Sequence, residues 1–113
     1  IGLWVLPRTW VLLREAGNVL MEGAPRGIDT ERIRAEMLAT PGVAALHDVH
    51  VWVLGSTRSA MAAHVIMDGD VSDMQALQRR LAQLLEVRFD IHHVTLQIET
   101  APCGLGCEEP QKV

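Results

Sequence analysis

The feature that most constrains the chain is an alternation of period two across residues 43–54. Val49, Val51 and Val53 fall on one side of it, and Asp48, His50 and Trp52 fall on the other. Successive strand side chains point to opposite faces, so this segment reads as a strand with one buried face. Residues 55–58 supply a turn, and residues 59–67 read as the returning strand of a hairpin. Near the other end, Val94, Leu96 and Ile98 alternate with Thr95, Gln97 and Glu99 and predict a third strand.

A one-sided sheet needs an apolar cover, and two helical patterns provide it. Asp29 is placed to cap a helix over residues 30–39, with Ile28 positioned to pack on Ile33. Ile33 and Met37 share a face, and Pro41 with Gly42 stops the helix. Ser72 and Gln75 have the spacing of a capping box, and Met74, Leu77, Leu81, Leu84 and Leu85 form one stripe behind it. Asp90 ends that connection. The order helix, strand, strand, helix, strand predicts an α+β sandwich with both helices on one face of a three-stranded mixed sheet. Val49, Val51, Leu77, Leu81, Leu84, Val94, Leu96 and Ile98 are the expected core. The domain spans residues 28–100, and residues 101–113, rich in Pro, Gly and Glu, are expected to be a loose tail.

With 113 residues the chain has room for one small domain, and 49% hydrophobic residues suffice for a core. A domain this small leaves much surface wet, so a metal, a partner or a second copy would add stability. The net charge is −4, and Lys112 is the single lysine. That balance argues against nucleic acid, which needs clustered cations. Arg79 and Arg80, the one adjacent basic pair, fit a solvated helix face.

Residues 1–13 are almost wholly apolar, interrupted by Pro7 and Arg8. A membrane span needs about 20 such residues, so this stretch cannot cross alone. Trp4 and Trp10 suit a membrane–water interface, and Arg8 and Arg14 suit a cytoplasmic flank. An amphipathic helix covering the domain is the other reading. The abrupt apolar opening without an initiator Met is expected of a piece cut from a longer chain. Gly23, Pro25 and Gly27 break the pattern as a linker.

Five histidines, His47, His50, His64, His92 and His93, lie on or beside predicted strands, with Glu99 near the end of the last. Imidazole and carboxylate together suit Zn²⁺ and its first-row neighbours. Each histidine taken singly could instead be a hydrogen-bonded core residue. Cys103 and Cys107, with three residues between them and followed by Glu108 and Glu109, read as cytosolic thiols. They are inert tail residues or metal ligands.

Three blocks, RGIDTERIRAEMLATPGVAALHDVHVWVLGS, SAMAAHVIM and IHHVTLQIE, resemble the cytoplasmic C-terminal domain of the cation diffusion facilitator family. The type that they most resemble is the bacterial cobalt–zinc–cadmium resistance exporter, with vesicular zinc transporters of animals as relatives. LLREAGNVLMEGAP looks like the family's passage out of its last membrane helix, so residues 1–27 are expected to be the end of that helix and a linker.

The resemblance implies a ferredoxin-like αββαβ domain, a homodimer, and proton-coupled export of divalent metal by a membrane part outside this chain. It places the domain on the cytoplasmic face of the inner membrane. It puts the family's cytoplasmic metal site on His47, His64 and Glu99, with Zn²⁺ the expected ion and Cd²⁺, Co²⁺ and Ni²⁺ as alternates. His50, Asp48, Cys103 and Cys107 are secondary candidates. Gln97 stands where some members carry a ligand histidine, which argues against a second metal position. The cysteine pair is similar to one in the animal relatives, with a spacing wider by one residue. Two other functions compete with metal regulation. An acyl-phosphate hydrolase on the same fold would need an anion-binding loop and an oriented amide. The chain has no Gly-rich phosphate loop, and its one asparagine is Asn18, near the apolar start. The other is a purely structural dimerisation domain without metal.

Overall fold

A computed structural model describes residues 2–21, 27–101 and 111–112. The elements run α1 (Gly2–Leu20), α2 (Thr30–Leu38), β1 (Val43–Val53), β2 (Ser59–Met67), a 3₁₀ turn (Val71–Asp73), α3 (Met74–Phe89), β3 (His93–Glu99) and β4 (Gln111–Lys112).

Local chemistry accounts for most of the boundaries. The Asp29 carboxylate accepts from the backbone N–H groups of Glu31 and Arg32, at 3.0 and 3.2 Å, which satisfies two otherwise orphaned donors of α2. Gly42, at φ +98°, turns the chain from α2 into β1, a conformation in which a side chain would be strained. The hairpin closes with the Leu54 N–H donating to the Arg58 carbonyl at 2.9 Å. Ser72 is not the cap of the next helix. Asp70 instead accepts from the Ser72 N–H at 3.1 Å and opens a 3₁₀ turn that leads into α3. An Asp two residues earlier competes successfully for the same exposed donors. Asp90, in the left-handed conformation at φ 56°, closes α3.

β1 and β2 are antiparallel, and β2 and β3 are parallel, so α3 is the crossover of a βαβ unit. The three long strands form the expected mixed sheet, and β4 extends it in the order β3-β2-β1-β4. β4 lies in the segment expected to be loose. Its backbone pairs Lys112 with Ala45 and Gln111 with Leu46, filling part of the outer edge of β1.

The core is one cluster: Ile33 and Met37 from α2, Leu77, Leu81 and Leu85 from α3, and Leu46, Val49, Val51, Met61, Ala63, Val65 and Met67 from the hairpin. Both helices therefore cover one face of the sheet. Val49, Val51, Leu77 and Leu81 are buried as expected. Leu84 of α3 is only half-buried against the cluster, as are Val94, Leu96 and Ile98, because β3 is an edge strand with one flank open. α1 contributes no buried residue, and Leu3, Trp4, Leu6, Trp10, Leu12 and Leu13 are all exposed. No helix among the described residues is long and apolar enough to cross a membrane.

Candidate metal centre

The site lies on the face of the sheet turned away from the helices. Register decides this. His47 pairs with His64 across β1 and β2, and His64 pairs with Gln97 across β2 and β3. The neighbouring pair, Leu46 with Val65, belongs to the core, so the His47–His64 pair must point to the other side.

Strict alternation along β1 predicts the opposite: His47 would share the face of Val49 and Val51 and oppose His50. The structure corrects this. Between His47 and His50 the strand advances three residues while β2 advances two, from His64 to Ala62. The extra residue is a β-bulge at Asp48, whose φ is +47°. The bulge resets the parity, so Val49 and Val51 face the core while His47 and His50 both face away.

Three side chains converge there. His47 Nε2 lies 3.1 Å from Glu99 Oε2, and His64 Nδ1 lies 2.8 Å from Glu99 Oε1. The two imidazole rings meet edge to face with centroids 4.8 Å apart. One ligand atom from each of His47, His64 and Glu99 falls within 4.8 Å of the others. Gln97 donates to Glu99 Oε1 at 2.7 Å, and Asp48 Oδ2 sits 3.6 Å from His47 Nδ1. His47 is only 1% exposed, Glu99 10% and His64 27%, so an ion would enter past His64.

Burial pushes the Glu99 carboxyl up, but hydrogen bonds from His47 and Gln97 and the nearby imidazole charges of His64 and His47 outweigh it. The net shift is downward, so Glu99 is held as the carboxylate, the form that binds a metal.

The donor set fits a divalent ion. Nδ1 of His64 is buried and makes no hydrogen bond, although Glu99 Oε1 is near, because the two are not aligned. A buried polar atom without an aligned partner is costly. Two imidazoles and one carboxylate, all from rigid strands, would leave a fourth position of a tetrahedral ion open.

His50 is exposed, pairs with Ala62 and stays outside the cluster. His92 is also exposed. Its ring lies between Asp90 Oδ1 at 2.8 Å and Glu86 Oε1 at 3.4 Å. His93 sits at the far end of β3 opposite Ala60. Cys103 and Cys107 lie outside the described residues. Two contributors escaped the sequence reading. The resemblance marks Gln97 only as a missing ligand, whereas its amide braces Glu99. The bulge at Asp48 has no period-two signature; the adjoining run of polar and ionisable residues, His47-Asp48, was its only trace.

Residues 25–101 match the cytoplasmic domain of cation efflux proteins. The chain belongs to this family. Among its curated relatives is the metal cation efflux system protein CzcD of Cupriavidus metallidurans, 48% identical over 103 residues. That match covers 91% of this chain and 33% of the relative. The probable proton-coupled zinc antiporter SLC30A3 of Rattus norvegicus is 40% identical over 116 residues, covering 98% of the chain and 29% of the relative. The chain thus spans about a third of the length of the curated efflux proteins it matches. Among solved structures, the metal-bound C-terminal domain of the CzcD transporter from Cupriavidus metallidurans superposes with a TM-score of 0.59 at 39% identity. It covers 64% of this chain and 99% of that domain. The family named from the HDVHVW and HHVTLQIE blocks is therefore the right one, and so is the α+β fold.

Proposed function

We propose that this cytoplasmic efflux domain is a metal-responsive regulatory module, in which His47, His64 and Glu99 bind one divalent ion, Zn²⁺ first among the candidates. The observation that carries this reading is the convergence of three ligand-type atoms from three strands around a buried, hydrogen-bond-deficient His64 Nδ1. The metal-bound state of the related CzcD domain supports it. Cd²⁺, Co²⁺ and Ni²⁺ suit the same borderline donors.

The ion would supply a positive charge to which two neutral imidazoles and a carboxylate can all point. His47 and His64 would present ring nitrogens, with any proton on the opposite nitrogen of each ring. Glu99 would bind without first losing a proton. Because these groups come from β1, β2 and β3, binding would fasten the sheet at one end. In the longer protein, a homodimer at the cytoplasmic face of the membrane, that fastening would favour one arrangement of the two domains over another. An ion shifts such an equilibrium only by its difference in affinity for the two arrangements. Export by proton antiport would belong to the membrane part.

A second reading, a structural dimerisation domain, draws on the His47–Glu99 hydrogen bond of 3.1 Å, which partly satisfies both groups without any ion. Calorimetric titration of the chain with zinc separates the two. One tight site, lost in His64→Ala, is expected; heat no greater than dilution would overturn the metal reading.

A further inference from the structure

Asp48 is left unexplained by a three-residue ligand set. Among the described residues, two non-glycine residues have positive φ, Asp48 at 47° and Asp90 at 56°. Asp90 closes a helix. Asp48 stands inside a strand of 11 residues, where left-handed backbone is unusual and is tolerated best by Asp and Asn. The register shift between β1 and β2 falls at this point, and without it His47 would face the core with Leu77 and Leu81. The same residue sends its carboxylate back to His47, with Oδ2 3.6 Å from Nδ1. That separation exceeds a direct hydrogen bond; a small rotation of the part-exposed side chain, or one bridging water, closes it. Nε2, the opposite ring nitrogen, is the one that faces Glu99. Histidine ligands are commonly held this way, the free N–H donating to a carboxylate that fixes the tautomer.

We propose that Asp48 is the positioning residue of the metal centre. Its bulged backbone turns His47 to the ligand side of the sheet, and its carboxylate accepts the Nδ1 proton once an ion takes the place of the Nε2 proton shared with Glu99. This assignment rests on the metal reading of His47, His64 and Glu99. It gives Asp48 a role beside the ion and not on it.

Three substitutions in the same chain separate the two parts of this role. Asp48→Gly keeps a residue content with positive φ and removes the carboxylate. Asp48→Asn keeps the conformation and a polar oxygen but removes the charge. Asp48→Val disfavours positive φ and so opposes the bulge. Zinc affinity by competition titration is expected to fall about 10- to 100-fold in Asp48→Gly, less in Asp48→Asn, and furthest in Asp48→Val. With zinc bound, the ¹⁵N shifts of the His47 ring should report ligation through Nε2 alone in the unaltered chain and a mixture of Nε2 and Nδ1 ligation in Asp48→Gly, at an unchanged melting temperature of the metal-free form. A merely structural residue would not alter that ratio. Unchanged affinity and ligating nitrogen in both Asp48→Gly and Asp48→Asn, while His64→Ala still abolishes binding, would overturn the role of Asp48 alone. Absence of zinc binding by the unaltered chain would overturn the metal reading, and this one with it.

Discussion

The two faces of the sheet are built on different terms. The helix-covered face is filled by Leu46, Met61, Val65, Leu77 and Leu81, whose contribution scales with apolar area and is indifferent to direction. The opposite face carries His47, His64, Gln97 and Glu99, whose value depends on distances of 2.7–3.1 Å. Stability and chemistry therefore occupy opposite sides of the same strands. A single added residue at Asp48 decides to which side His47 belongs.

The largest expected effect tests the stability face. Leu81 is fully buried, and Leu81→Ala should destabilise the metal-free chain by about 2–5 kcal/mol in denaturant unfolding. Zinc affinity measured below the unfolding transition should stay near that of the parent. Equal loss of both would break the division between the faces.

The next tests the chemical face. With free zinc at 100 times its dissociation constant, binding to the folded form should add about 2.7 kcal/mol to stability. His64→Ala should remove most of that increment while leaving the metal-free melting temperature close to the parent, since His64 is part-exposed on the polar side. Retention of the full increment would sink the site.

A smaller effect concerns the pH dependence of the metal-free fold. The Glu99 carboxyl is held below its ordinary range, so the folded state binds that proton less readily than the unfolded chain. Its contribution is complete above the ordinary carboxyl range of the unfolded chain and is lost as pH falls through the lower folded range. Glu99→Gln should flatten the acid limb of a stability-versus-pH curve, and an unaltered limb would show that the His47 and Gln97 bonds do not stabilise the carboxylate.

The smallest effect sharpens the choice between the two histidines of β1. His50 shares the site's face but is exposed and outside the cluster. His50→Ala should change zinc-dependent stabilisation by no more than about 0.5 kcal/mol in thermal melts. A loss matching that of His64→Ala would transfer the ligand role to His50.

The hairpin's ends, the Asp29 cap, the Leu stripe of α3 and the helix–strand order were all legible in the sequence. Each depends on residues within a few positions of one another, where propensity, capping and periodicity act directly. His47, His64 and Glu99 were nominated together by resemblance to a family, because periodicity and spacing favoured no histidine over another. Tertiary structure alone decided how they meet. Glu99 reaches His47 across 52 positions of chain, through a parallel pairing that no local pattern encodes. The half-burial of Leu96 and Ile98 follows from an open sheet edge, which exists only once the strands are ordered. The face of His47 was misread for a related reason. Alternation counts residues along one strand, whereas a bulge is a mismatch between two, so the count is right on either side of Asp48 and wrong across it.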